Sequence, residues 1–120
     1  MGMGAKGKFA FGTRVGNMVF MSGQTGFDSN DKLMGVGSPR AQARNALANI
    51  KRILGLAGAK MSDVVKITVY VTDVSYRPEV YDEITKAFHG RAPSSTGLVV
   101  SGLARKELLV EIDAMAVIAD

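Results

Sequence analysis

The stretch Val65-Lys66-Ile67-Thr68-Val69-Tyr70-Val71-Thr72 alternates apolar and polar residues over its whole length, and every apolar member is β-branched. A period of two sends Val65, Ile67, Val69 and Val71 to one face of an extended chain and Lys66, Thr68, Tyr70 and Thr72 to the other. A helix would scatter the same valines around its circumference and would restrict their rotamers as well. This segment therefore has to be a half-buried strand, and some apolar element has to cover one of its faces.

The covering elements can be read on either side of it. Ser38-Pro39 makes a good helix start, because a serine oxygen can accept from free backbone N–H groups and proline is tolerated in the first turn. Ala43, Ala46, Leu47, Ile50, Ile53, Leu54 and Ala57 then recur at helical spacing, with Arg40, Arg44, Lys51 and Arg52 on other faces and Gly58 as a stop. The spacing predicts an amphipathic helix with a basic, solvated outer face. Pro78 opens a second helix whose Val80, Ile84, Ala87 and Phe88 share a face, and the 90–93 segment closes it. Lys8 to Val15 and Met18 to Ser22 read as strands joined by a tight turn at Gly16-Asn17. Lys32 to Val36 reads as a short edge strand after the polar turn Asp28 to Asp31, and Ser95 to Val100 and Leu108 to Val117 complete the sheet. The pattern predicts a single α+β domain over residues 1–120, a mostly antiparallel sheet with two helices packed on one face.

Composition narrows the chemistry. With no cysteine and a single histidine, disulfides and thiolate metal sites are excluded, and neither a metal nor a cofactor is expected. No apolar run approaches the roughly 18 residues of a membrane span, and Met1 to Lys8 lacks the apolar core of a signal peptide, so a cytoplasmic protein is expected. The formal charge of +4 permits anionic small molecules or weak nucleic-acid contact. The aromatics fall at no regular spacing, which argues against nucleic acid as the main partner.

Glu111 interrupts the apolar run Leu108 to Ala114. The strand period places it with Leu109 and Asp113, opposite Val110 and Ile112. In a cleft, burial would raise its pKa toward neutrality and suit it to exchanging protons with water or an imine nitrogen. On an open edge it would merely face solvent or pair with a base. Ser22-Gly23 ends a strand, where a glycine admits close approach of a ligand to backbone N–H groups or simply allows a turn.

Several landmarks fall in a recognisable order: Arg14-Val15-Gly16-Asn17, Val19-Phe20-Met21-Ser22-Gly23-Gln24, Gln42 to Gly58 around Asn49-Ile50, Val64 to Asp73, Ala92-Pro93-Ser94-Ser95-Thr96-Gly97 and Leu108 to Ala114. Together they resemble the RidA/YjgF family of enamine and imine deaminases, also described as endoribonuclease L-PSP proteins. The resemblance spans nearly the whole chain. It implies a chorismate-mutase-like fold assembled as a homotrimer, with clefts between neighbouring subunits that take a small metabolite and hydrolyse a reactive enamine or imine to a carbonyl compound and ammonia. It implies that Glu111 positions the hydrolytic water, that Gly23, beside Ser22, offers its backbone amide, and that Thr96 lines the same pocket.

Three departures qualify the match. Family deaminases carry a carboxylate-gripping arginine where this chain has Ser94, which sets it in a divergent subgroup. Tyr81 stands where many members have an asparagine, and Phe9 near where many have a tyrosine. A pocket lined by Ser94, Ser95, Thr96, Tyr81 and Phe9 would suit a neutral or aromatic ligand, so the substrate is expected to differ from the usual amino-acid-derived imines. Arg91, Arg14 and Arg105 are candidate replacements for the arginine. A noncatalytic metabolite-binding member of the family is the alternative expectation. RNA cleavage would lack a histidine pair or a metal site to drive it.

Overall fold

A computed structural model describes residues 2–6 and 9–119, with side chains described from Ala10 onward. Its elements are β1 (Gly2–Lys6), β2 (Phe9–Val15), β3 (Met18–Met21), α1 (Pro39–Leu56), β4 (Val64–Val71), α2 (Arg77–Ala87), β5 (Ser94–Val99) and β6 (Val110–Val117). The strands form one six-stranded sheet in the order β1-β2-β3-β6-β4-β5. All neighbours are antiparallel except β4 and β5, which run parallel and are connected through α2.

Helix α1 starts and stops where its sequence provides partners for free backbone groups. The Ser38 oxygen accepts from the Ala41 N–H at 3.1 Å, and Pro39 occupies the first turn of α1. At the other end the chain leaves the helix through Gly58 at φ +80°, and Arg14 reaches over from β2 to donate to the Ala57 carbonyl at 2.6 Å. Val19, Ala46, Ile50, Leu54, Ile67, Val69, Val80, Ile84, Val110 and Ile112 are buried together between both helices and one sheet face. Among the described residues, no helix packs on the other sheet face.

Two buried amides of α1 steady the loops that frame the middle of the sheet. Gln42 donates to the carbonyls of Gly35 at 3.2 Å and Glu107 at 3.1 Å and accepts from the Leu109 N–H at 2.9 Å. Asn49 donates to the carbonyls of Thr25 at 3.1 Å and Phe27 at 2.7 Å. A buried amide that lost these partners would be costly, so the segments before β6 and after β3 are held against the helix.

Three expectations need correction. Lys32 to Val36 is not a strand. Positive φ at Asp31, Gly35 and Gly37 breaks any extended run, the Asp28 carboxylate accepts from the Asn30 and Lys32 N–H groups to close a turn, and pairing is limited to the bridge between Phe27 and Leu33. Val65 is turned outward rather than into the core, because a bulge between Val64 and Lys66 puts Val64 inside instead. The first strand, β1, was not anticipated, since Gly2 to Lys6 has no alternation to mark it.

Candidate active site

Alternation along β6 is complete. Val110, Ile112, Ala114 and Ala116 are buried against the helices, while Glu111, Asp113, Met115 and Val117 point to the open face. Beside Glu111 the chain leaving β3 is tied in by a two-way bridge, with Gln24 N–H donating to the Ile112 carbonyl at 2.7 Å and Ile112 N–H donating back at 2.9 Å. Gly23 is thereby set under the glutamate. A Cβ at this position would lie 2.6 Å from the Glu111 carboxyl carbon, so the missing side chain is what lets the carboxylate rest over the Gly23 backbone.

Partial burial pushes the Glu111 carboxyl above its ordinary pKa, and the nearby Asp113 charge adds to the shift. Tyr70, the cross-strand partner of Glu111, donates its hydroxyl to Asp113 at 3.0 Å. Burial first, and then that hydrogen bond, push the Tyr70 phenol upward, so it remains a neutral donor. Two carboxylates and a phenol therefore share one end of the open face. Ser22 contributes less than expected, because its hydroxyl donates to the Ala10 carbonyl at 2.7 Å and fastens β3 to β2.

Ser94, Thr96 and Leu98 lie on the same open face, in register with Lys66, Thr68 and Tyr70. The Lys66 ammonium donates to the Thr96 hydroxyl at 2.5 Å. Ser95 and Gly97 face the other way. The Tyr81 and Ser95 hydroxyls meet at 2.9 Å on the helix side, where Arg77 stacks 4.8 Å over the Tyr81 ring and fills the space above Gly97. The expected grouping is thus divided between two faces of the sheet, with Glu111, Gly23, Ser94 and Thr96 on one and Tyr81 and Ser95 on the other. The Phe9 side chain lies outside the described residues.

The family model for endoribonuclease L-PSP proteins matches residues 2–118. The chain belongs to this family, that of RidA and YjgF. It is 33% identical over 112 residues to a 2-iminobutanoate/2-iminopropanoate deaminase from Dermatophagoides farinae, covering 93% of this chain and 87% of the relative. Its fold is similar to that of RidA from the Antarctic bacterium Psychrobacter sp. PAMC 21119, with a TM-score of 0.86 and 33% identity over 98% of this chain and 94% of the other. It is also similar to the YjgF gene product of E. coli, with a TM-score of 0.85 and 31% identity over 97% and 92% of the two chains. Among the described residues no helix is long and apolar enough to cross a membrane.

For a RidA/YjgF chain, the position of cations around Ser94 matters. Arg14 is occupied at the end of α1, Arg105 stacks 4.6 Å over Phe27, and Arg91 lines a hollow with Phe88 and His89 on the helix side. The cation paired in register with Ser94 is Lys66 of β4, which no sequence pattern had marked. Lys66 shares strand parity with Thr68 and Tyr70, but its nearness to Ser94 follows from the β4–β5 register, and no local pattern states that register.

Proposed function

We propose that this protein hydrolyses a reactive enamine or imine at the open sheet face, with Glu111 as the proton-transferring residue and Lys66 as the cation that receives an anionic substrate end. The observation that carries the reading is the Glu111 carboxylate set over Gly23, with its pKa raised by burial and by Asp113. Ionised, Glu111 takes a proton from water as the water oxygen bonds to the C=N carbon. Protonated, it returns that proton to the nitrogen to complete the carbinolamine; it then carries the carbinolamine's hydroxyl proton to the same nitrogen, and the C–N bond breaks to release ammonia and leave the carbonyl compound. The similarity to a named imine deaminase supports this chemistry.

The two parts of the site suit an assembly of subunits. Ser94 and Glu111 stand two strands apart and four residues out of step, roughly 16 Å by ordinary strand dimensions. That is too far for one small imine to touch both within one chain. In a homotrimer, the Glu111 end of one subunit would meet the Ser94–Thr96 strand of its neighbour, and β5, exposed along its whole length, would be covered.

The test generates 2-iminopropionate with an amino-acid oxidase and follows its decay with no protein, the native chain, Glu111→Gln, Lys66→Met and Ser94→Arg. Acceleration by the native chain that falls about a hundredfold or more in Glu111→Gln and about tenfold in Lys66→Met is the expected outcome. Activity retained in Glu111→Gln would remove the proposed catalyst. Ser94 favours a second reading, a metabolite-binding member without activity, and a native chain that is inert while Ser94→Arg gains activity would select it.

A further inference from the structure

On the helix side of the molecule, away from the open sheet face, α1, the segment after it and the end of α2 enclose a groove of about 700 Å³. A second hollow of about 360 Å³ continues it past Met61 and His89 to Arg91. The volume of the main groove falls within the usual range for small-molecule sites. Its floor is apolar, made by Leu47, Ala48, Met61 and Ala87. It stays open because Ala48 and Gly55 are small, and a Cβ at Gly55 would meet nothing within 4 Å.

The rim carries a strong excess of positive charge. Arg44, Lys51, Lys60 and Lys86 line the groove against one carboxylate, Glu83. That carboxylate is already engaged by Arg40 at 2.8 Å, Arg44 at 3.0 Å and Lys86 at 3.5 Å, and Asp82 beside it pairs with Arg40 at 2.6 Å and Lys86 at 3.2 Å, which leaves the positive excess with Lys51 and Lys60. Lys51 and Lys60 enter no ion pair among the described residues. Crowding like charges around an apolar floor raises the local potential and favours an occupant of opposite sign. A neutral apolar molecule would match the floor alone, and an inorganic anion the rim alone.

We propose that this groove binds a small amphipathic anion, an aromatic or aliphatic body bearing a phosphate, sulfonate or carboxylate. The apolar body lies on Leu47, Ala48 and Ala87, and the anionic end is held by Lys51 and Lys60. This site shares no residue with the Glu111 site and does not depend on the imine-hydrolysis reading.

The experiment titrates the full chain with 8-anilinonaphthalene-1-sulfonate and with its neutral counterpart N-phenyl-1-naphthylamine, following dye fluorescence and mapping the sulfonate by amide chemical shifts. Two variants accompany the native chain. Lys51→Glu with Lys60→Glu reverses the rim charge, and Ala48→Leu with Gly55→Leu fills the groove while favouring the helix. The expected result is sulfonate binding that shifts the amides of residues 47–61 and 86–89. It should weaken about tenfold or more in each variant, and the neutral dye should bind about tenfold more weakly than the sulfonate. Equal binding of the two dyes, unchanged affinity in either variant, or shifts confined to β6 and β5 would overturn the proposal. Circular dichroism melts of both variants show whether a loss of binding comes from the groove or from unfolding, and loss of binding with the fold lost would be replaced by the single changes Lys51→Ala and Ala48→Leu, judged by the same criterion.

Discussion

Glu111 and Gly23 depend on each other in a way that a single substitution exposes. An alanine at position 23 would strike the Glu111 side chain, whose outer atoms can swing away. Gly23→Ala should therefore leave the melting temperature within a few degrees of native while activity falls about a hundredfold, since a displacement of about 1 Å in a catalytic group can cost that much. The raised pKa of Glu111 also has a sign for stability. The folded chain holds that proton more tightly than the unfolded chain does, so between the unfolded and folded values stability declines as pH rises, and the penalty persists above them. Glu111→Gln removes the penalty. Its melting temperature at neutral pH should exceed the native value while turnover falls about a hundredfold or more, and the activity that remains should lack the acid limb that rises as Glu111 ionises. A variant that melts lower than native at neutral pH would contradict this account. Glu111 was legible from its place in an apolar strand, whereas its contact with Gly23 was not, because nearly ninety residues separate the two and pairing brings them together.

Between elements, α1 and α2 are joined by a charged contact as well as by their apolar faces. Glu83 is buried on α2, and its carboxyl is pulled down to about 2, chiefly by the hydrogen bond from Arg44 and further by Arg40, against the opposing effect of burial. The folded value lies below the unfolded value of 4.5, so this stabilisation is fully present above the unfolded value and is lost as pH falls toward 2. Glu83→Gln should flatten the dependence of melting temperature on pH through that window. Glu83→Ala should cost about 1 to 3 kcal/mol by denaturant titration, less than a deeply buried pair because Arg40 and Arg44 can turn to water. The helical spacing of Val80, Ile84 and Phe88 made the apolar face of α2 plain. That spacing could not single out Glu83, which reads as one more polar residue until Arg40 and Arg44 are known to lie across from it.

At the scale of the molecule, the sheet is covered on one side by helices and left bare on the other. Phe20, Met115 and Leu98 are among the apolar side chains that face outward there. Bare apolar sheet faces tend to mark association surfaces, and the proposed trimer would cover this one. Phe20→Glu should shift the mass measured by light scattering from three chains toward one and remove activity with it, while the far-ultraviolet circular dichroism of the subunit persists. A native chain that is monomeric at micromolar concentration would rule out a cleft between subunits.

Local pattern was enough to specify α1 with its Ser38 cap and Gly58 stop, the start of α2 near Pro78, the β4 and β6 strands, the Gly16-Asn17 hairpin and an α+β architecture, because periodicity, capping and turn chemistry act within about a dozen residues. It also marked Glu111 as out of place in an apolar run. The order of strands, the bulge that turns Val65 out, the parting of Ser94 from Ser95 onto opposite faces and the nearness of Lys66 to Ser94 emerge from how strands far apart in the chain are registered. Register depends on long-range hydrogen bonding and core packing, and a shift of one residue would exchange the two faces, so the residues that share a surface could be recognised once the sheet was assembled.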